Sequence, residues 1–153
     1  SGVVDAAQRA TPLPCRIVYP TDATVDFRRL GVLAGLGVPS RLGILMHPTF
    51  GPWMALRAAV LVPYAVPTSR PIAASPCVTC ATRPCEPACP VGAIGATGWD
   101  VPTCVAHRAR ADETCGGGCH ARLACPVGAA HRHPDAALAY HQAAARRLMT
   151  RRR

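Results

Sequence analysis

Lysine and asparagine are absent from this chain, and all seventeen basic residues are arginine. Beside the abundance of alanine, that choice reads as coding bias in a GC-rich genome. It is no sign of bidentate phosphate recognition. Aromatic residues number seven, which excludes a large aromatic core. Charged residues make up only 16% and apolar ones 50%, too little charge for a solvated disordered chain. No long apolar run survives intact. Residues 42–66 are broken by His47, Arg57, Pro48, Pro52 and Pro63, which argues against a bilayer span. No signal-peptide pattern is seen either, so a soluble, cytoplasmic protein with no membrane partner is expected. A Walker loop, a nucleophile elbow and a dinucleotide-binding glycine fingerprint are all missing.

What is present is cysteine. The chain of 153 residues and 16.0 kDa holds nine, eight of them between Cys77 and Cys125. Its length suits one domain or two very small ones. The net charge of +9 is unevenly spread. Residues 1–76 carry seven Arg and three Asp, residues 77–145 five Arg and five acids, and residues 146–153 five Arg with no acid. The basic excess of the second half is therefore a tail. Such an arm suits either a frayed, solvated end or the docking of an acidic protein partner.

Punctuation divides the chain into four parts. Residues 1–14 read as a linker or flexible arm, residues 15–72 as a small α/β segment, residues 73–133 as the cysteine module, and residues 134–153 as a C-terminal helix and basic tail. Within the second part, short strands are expected at 16–19, 42–46 and 58–62. A helix is expected over 21–36, capped by Thr21 or Asp22 and weakened by Gly31 and Gly35. A last helix is expected over 135–149, with Pro134 near its first turn. The fold class is α+β.

The first cysteine run is Cys77-x2-Cys80-x4-Cys85-x3-Cys89-Pro90, and the second is Cys104-x10-Cys115-x3-Cys119-x5-Cys125-Pro126. Both end in Cys-Pro-Val-Gly, a degenerate internal repeat. A cubane needs four thiolates at its corners, and a tight loop wraps only three irons. The fourth thiolate comes from farther off, often from the other run. Zinc favours pairs of cysteines separated by a longer spacer. A disulfide framework suits small secreted domains and an even count. Two 4Fe–4S clusters fit the spacing better than either, and better than one cluster with a degraded second site. Cys15 stands 62 residues before Cys77 and reads as a small buried hydrophobe.

At these residues the chain resembles the dicluster ferredoxin region of epoxyqueuosine reductase and the corrinoid reductive dehalogenases. It is most similar to small bacterial 4Fe–4S ferredoxin-like proteins. The marks are Arg83-Pro84-Cys85, Ala88-Cys89-Pro90-Val91-Gly92-Ala93, Asp100-Val101-Pro102-Thr103-Cys104 and Gly118-Cys119-His120-Ala121-Arg122. Residues 41–53, ending His47-Pro48-Thr49-Phe50-Gly51-Pro52-Trp53, resemble the stretch that precedes the clusters in those enzymes. The resemblance spans about residues 28–145. The second run is stretched compared with the Cys-x2-Cys-x3-Cys-Pro of the reductases. In that family the fourth cysteine of each run is exchanged. By that pattern Cys77, Cys80, Cys85 and Cys125 hold one cluster, and Cys89, Cys104, Cys115 and Cys119 the other.

The six histidines complete no cluster better than the cysteines do and read as solvated or structural. His120, directly after Cys119, is the one expected to feel a cluster's charge. Trp53 and Phe50 read as core, and the amides of Gly116, Gly117 and Gly118 as donors to cluster sulfur. The expectation is an electron carrier, without catalytic residues, that passes single electrons to a protein redox partner. The alternatives are the iron–sulfur half of a corrinoid-dependent reductase and a zinc-binding nucleic-acid module using the arginine tail.

Overall fold

The computed structural model describes Ala6, Arg9 and residues 15–22, 24–110 and 113–151. Apart from Ala6 and Arg9, the expected arm 1–14 lies outside the described residues, as do Arg152 and Arg153 at the end of the tail.

Three antiparallel two-stranded ribbons and a set of mostly short helices make an α+β fold. Strand β1 (Arg16–Val18) pairs with β4 (Ala59–Leu61), with Arg16 opposite Leu61 and Val18 opposite Ala59. Between them come helix α1 (Phe27–Leu33) and the ribbon of β2 (Val38–Pro39) and β3 (Leu45–Met46). In the cysteine module, α2 (Pro76–Thr79) is followed by the ribbon of β5 (Ile94–Gly95) and β6 (Gly98–Trp99). Helices α3 (Val101–Ala109) and α4 (His120–Leu123) come next, and α5 (Asp135–Arg151) closes the fold. Among the described residues, no helix is long and apolar enough to cross a membrane.

All four expected elements of the second part are shorter than the sequence implies, two of them by more than two residues. Helix α1 starts at Phe27 because Asp26, not Thr21 or Asp22, caps it: the Asp26 carboxylate accepts from the amides of Arg28 and Arg29. Asp22 is spent on a local turn, accepting from the amide and hydroxyl of Thr24. The strand expected over 42–46 is reduced to Leu45–Met46. Its first residues form a turn in which the Gly43 amide bonds the Ser40 carbonyl and Gly43 takes φ +72°.

The core joins the two halves of the chain. Leu42 and Met46, from before the cysteine module, pack with Ile94, Ala121 and Cys125 from within it. Cys77, Cys85, Cys89 and Cys119 lie against the same cluster, half-buried. An ion pair reinforces this joint: Arg41 Nη1 lies 2.9 Å from Glu86 Oε1 and donates to the Gly95 carbonyl, also at 2.9 Å.

Candidate functional site

Each cysteine is placed by a turn or a helix end. Ser75 caps α2 by accepting from the Cys77 amide, and Pro76 starts the helix without needing a donor. Cys80 ends that helix. The chain then passes through Arg83, at φ +42° the one non-glycine with positive φ among the described residues, before Cys85. Asp100 caps α3, which carries Cys104 four residues on, and Cys119 stands at the N-cap of α4. After Cys89 and after Cys125 the chain runs through Pro and Val to a left-handed glycine, Gly92 at φ +62° and Gly128 at φ +68°.

The eight cysteines assort into two hollows, crosswise to the two runs. Cys77, Cys80, Cys85 and Cys125 line a small one of about 20 Å³, walled by Leu42 and Met46. Cys89, Cys104, Cys115 and Cys119 line the other, a cavity of about 340 Å³. Electrostatics follow the same division. Burial, and then Cys77 and Cys125, push the Cys85 thiol above its ordinary value. Burial raises Cys125 too, with Cys77 and Cys80 adding to it and the Val127 amide opposing. Cys115 is raised by burial and then by Cys119, and Cys119 by burial, Cys104 and Cys89.

All nine cysteines are free thiols. Among the described residues, no three Cys, His, Asp or Glu side chains meet where one metal ion would sit. The sulfurs ring a space instead of converging on a point. That donor set, two fours of half-buried or buried cysteines whose thiolates would repel one another, fits a polynuclear group that binds thiolates. Amide donors to sulfur are in place as well. The Ala93 amide lies 3.3 Å from Cys89 Sγ, and the amides of Arg122 and Ala121 stabilise the Cys119 thiolate. These donors follow their cysteines in the sequence, and the expected donors of the glycine run precede Cys119. Gly118 of that run is buried beside Leu123.

Other expectations meet mixed outcomes. Trp53 is buried, with Arg122 stacked 4.6 Å from its ring centre, but Phe50 is exposed and edges onto His131. Cys15 is half-buried rather than fully buried. His120 donates from Nε2 to the Thr114 carbonyl at 2.6 Å. The histidine whose ring reaches a thiol is His107, with Nε2 3.8 Å from Cys115 Sγ. Its place three residues after Cys104 on one helix was the available signal, since i and i+3 share a face.

The fold is similar to that of a solved epoxyqueuosine reductase. The structure from Bacillus subtilis superposes with a TM-score of 0.58 at 16% identity, covering 88% of this chain. The chain spans 39% of that protein's length. No family model and no curated protein matches the chain. At this identity the likeness is one of fold, and it carries both the cysteine module and the segment packed before it.

Proposed function

We propose that the chain is an iron–sulfur electron-transfer protein. Cys77, Cys80, Cys85 and Cys125 would hold one 4Fe–4S cluster, and Cys89, Cys104, Cys115 and Cys119 the second. Clusters of this type supply one-electron transfer at potentials set by burial and by hydrogen bonds to sulfur. The observation that carries this reading is the crosswise assortment of eight free thiols into two hollows. Leu42 and Met46 keep water from the first set, and the amides of Ala93, Ala121 and Arg122 serve the second. No side chain is assigned a catalytic role, and the proposed partner is a protein that gives or takes the electrons.

Anaerobic isolation and reconstitution test the reading. About eight irons and eight sulfides per chain, with two paramagnetic signals on reduction, are expected. About four irons would leave one cluster only, and bound zinc in place of iron would overturn the reading. A second reading, the iron–sulfur half of a corrinoid-dependent reductase, is favoured by the fold shared with epoxyqueuosine reductase. Cobalamin binding by the reconstituted protein would support it over a simple carrier.

A further inference from the structure

The 340 Å³ cavity is lined by a basic group as well as by its cysteines. The group is Arg57, from the segment before β4, Arg122 on α4, His133 just before α5, and His141 on α5. Among the described residues that line the cavity, none is acidic. Three of these side chains are linked directly, and Arg122 joins them through Trp53, onto which the His133 ring also edges. Arg57 Nη2 lies 3.2 Å from His141 Nε2. A guanidinium only donates, so that nitrogen accepts, and the imidazole is neutral with its proton on Nδ1. The rings of His133 and His141 are 5.9 Å apart. Arg122 is fixed from behind by donating Nε and Nη2 to the Pro52 carbonyl while stacking on Trp53.

The thiols of Cys115 and Cys119 draw on only part of this positive charge. The charged groups that act on Cys115 are Cys119, Arg108, Cys104 and Cys89, and those that act on Cys119 are Cys104 and Cys89. Arg57, His133 and His141 are not among them. Arg122 alone of the four feels a cysteine, Cys119. Burial first, and then Arg122, His141 and Arg57, hold the His133 imidazole below its ordinary value; burial, Arg57 and Arg122 do the same to His141. From α3, His107 and Arg108 face the same cavity and add no negative charge.

We propose that this basic group binds the oxyanion group of a small molecule, a phosphate or a carboxylate, between Arg57 and Arg122 with His133 and His141 as further donors. Planar guanidinium forks match either oxyanion in two-point contact. An arriving negative charge raises the affinity of both imidazoles for a proton. Once His141 takes that proton it no longer accepts from Arg57, and the Arg57 fork turns to the anion. Binding therefore takes up protons and tightens as pH falls. The redox use of such a ligand rests on the electron-transfer reading above, but its binding does not.

Calorimetric titration of the full chain with inorganic phosphate, and separately with succinate, decides the matter. One site is expected; for succinate, which stays largely ionised over this window, affinity rises about tenfold from about pH 7.5 to about pH 6, with heats that depend on the buffer as proton uptake by the imidazoles requires. The stronger of the two probes identifies the oxyanion class. Arg57→Gln and His141→Gln should each weaken binding about tenfold, Arg57→Lys less, and the remote Arg29→Gln not at all. Circular dichroism establishes that each variant is folded. Unchanged binding in folded Arg57→Gln overturns the proposal, as does equal competition by chloride. Iron content separates the two readings. A chain that binds phosphate or succinate but takes up no iron removes the electron-transfer function and keeps this site. One that loads iron and ignores both probes removes this site and keeps that function.

Discussion

At Gly51 and Gly128 two stretches of backbone press together with no room for a side chain. Both glycines have positive φ, +58° and +68°. A Cβ on Gly51 would lie 2.0 Å from the Val127 carbonyl oxygen, and one on Gly128 2.3 Å from the Phe50 carbonyl carbon. Gly92, in the matching place of the first Cys-Pro-Val-Gly, has φ +62° and open space around it. Gly92→Ala should therefore cost only the left-handed backbone penalty, about 1–2 kcal/mol. Gly128→Ala adds a backbone clash and should cost more than about 3 kcal/mol, read from denaturant midpoints of the two variants. The repeat was legible as four letters; that one of its glycines is a packing contact was not, because the neighbouring backbone of Phe50 and Gly51 lies some 77 residues earlier, 51 against 128. The cysteines allow a second test at this scale. Cys125→Ala should remove the signal of the cluster held by Cys77, Cys80 and Cys85, while Cys15→Ser leaves the iron content unchanged. Damage confined to the cluster of Cys104, Cys115 and Cys119 would reverse the proposed grouping.

Among the elements, the caps decide where helices begin, and glycine decides how closely they pack. Gly31 weakened the expectation of a helix, yet it is buried inside α1. A Cβ there would come 2.3 Å from Leu45 Cδ1 and 2.9 Å from Leu56 Cδ1, so the missing side chain lets α1 sit on β3. Helix propensity alone could not reveal that compensation. Helix α3 depends on Asp100, whose carboxylate accepts from the Thr103 hydroxyl at 2.6 Å and from its amide at 3.1 Å. Those bonds hold the carboxyl below its ordinary value, the hydroxyl contributing most. A depressed carboxyl stabilises the fold above the ordinary carboxylate range. That contribution is lost as acidification carries the pH down through the folded value. Asp100→Ala should thus lower the thermal midpoint at neutral pH and flatten its fall below about pH 4, whereas Asp100→Asn should keep most of the cap. A melting series across pH for the three proteins checks both statements.

For the whole molecule, the joint between the two halves rests on Leu42 and Met46 packed into the cysteine module and on the Arg41–Glu86 pair. The pair is about three-quarters shielded, and Arg41 also serves the Gly95 carbonyl, so it is more than a surface ion pair. Arg41→Gln should cost about 1.5–3 kcal/mol, the worth of a charge-assisted hydrogen bond. Iron retention on dilution should fall with it, because Glu86 lies between Cys85 and Cys89. Loss of stability with unchanged iron retention would show that the joint supports the fold without supporting the proposed centres.

The sequence by itself determined what is local. Two runs of four cysteines, each closed by Cys-Pro-Val-Gly, dictate tight thiol-bearing turns, and the capping residues with their short apolar runs dictate an α+β chain of small elements. Its resemblance to the reductases also named the fold that the solved enzyme shares. The same resemblance implied the crosswise grouping of the thiols; only the tertiary structure decided that Phe50 is exposed and that the ring of His107 reaches a thiol. It alone brought Arg57 to His141 across 84 positions. The reason is physical. Spacing along a chain controls turns and helix faces through bond geometry over a few residues, while groups so far apart meet only when burial of Leu42, Met46, Ile94 and their neighbours selects one way of stacking the elements.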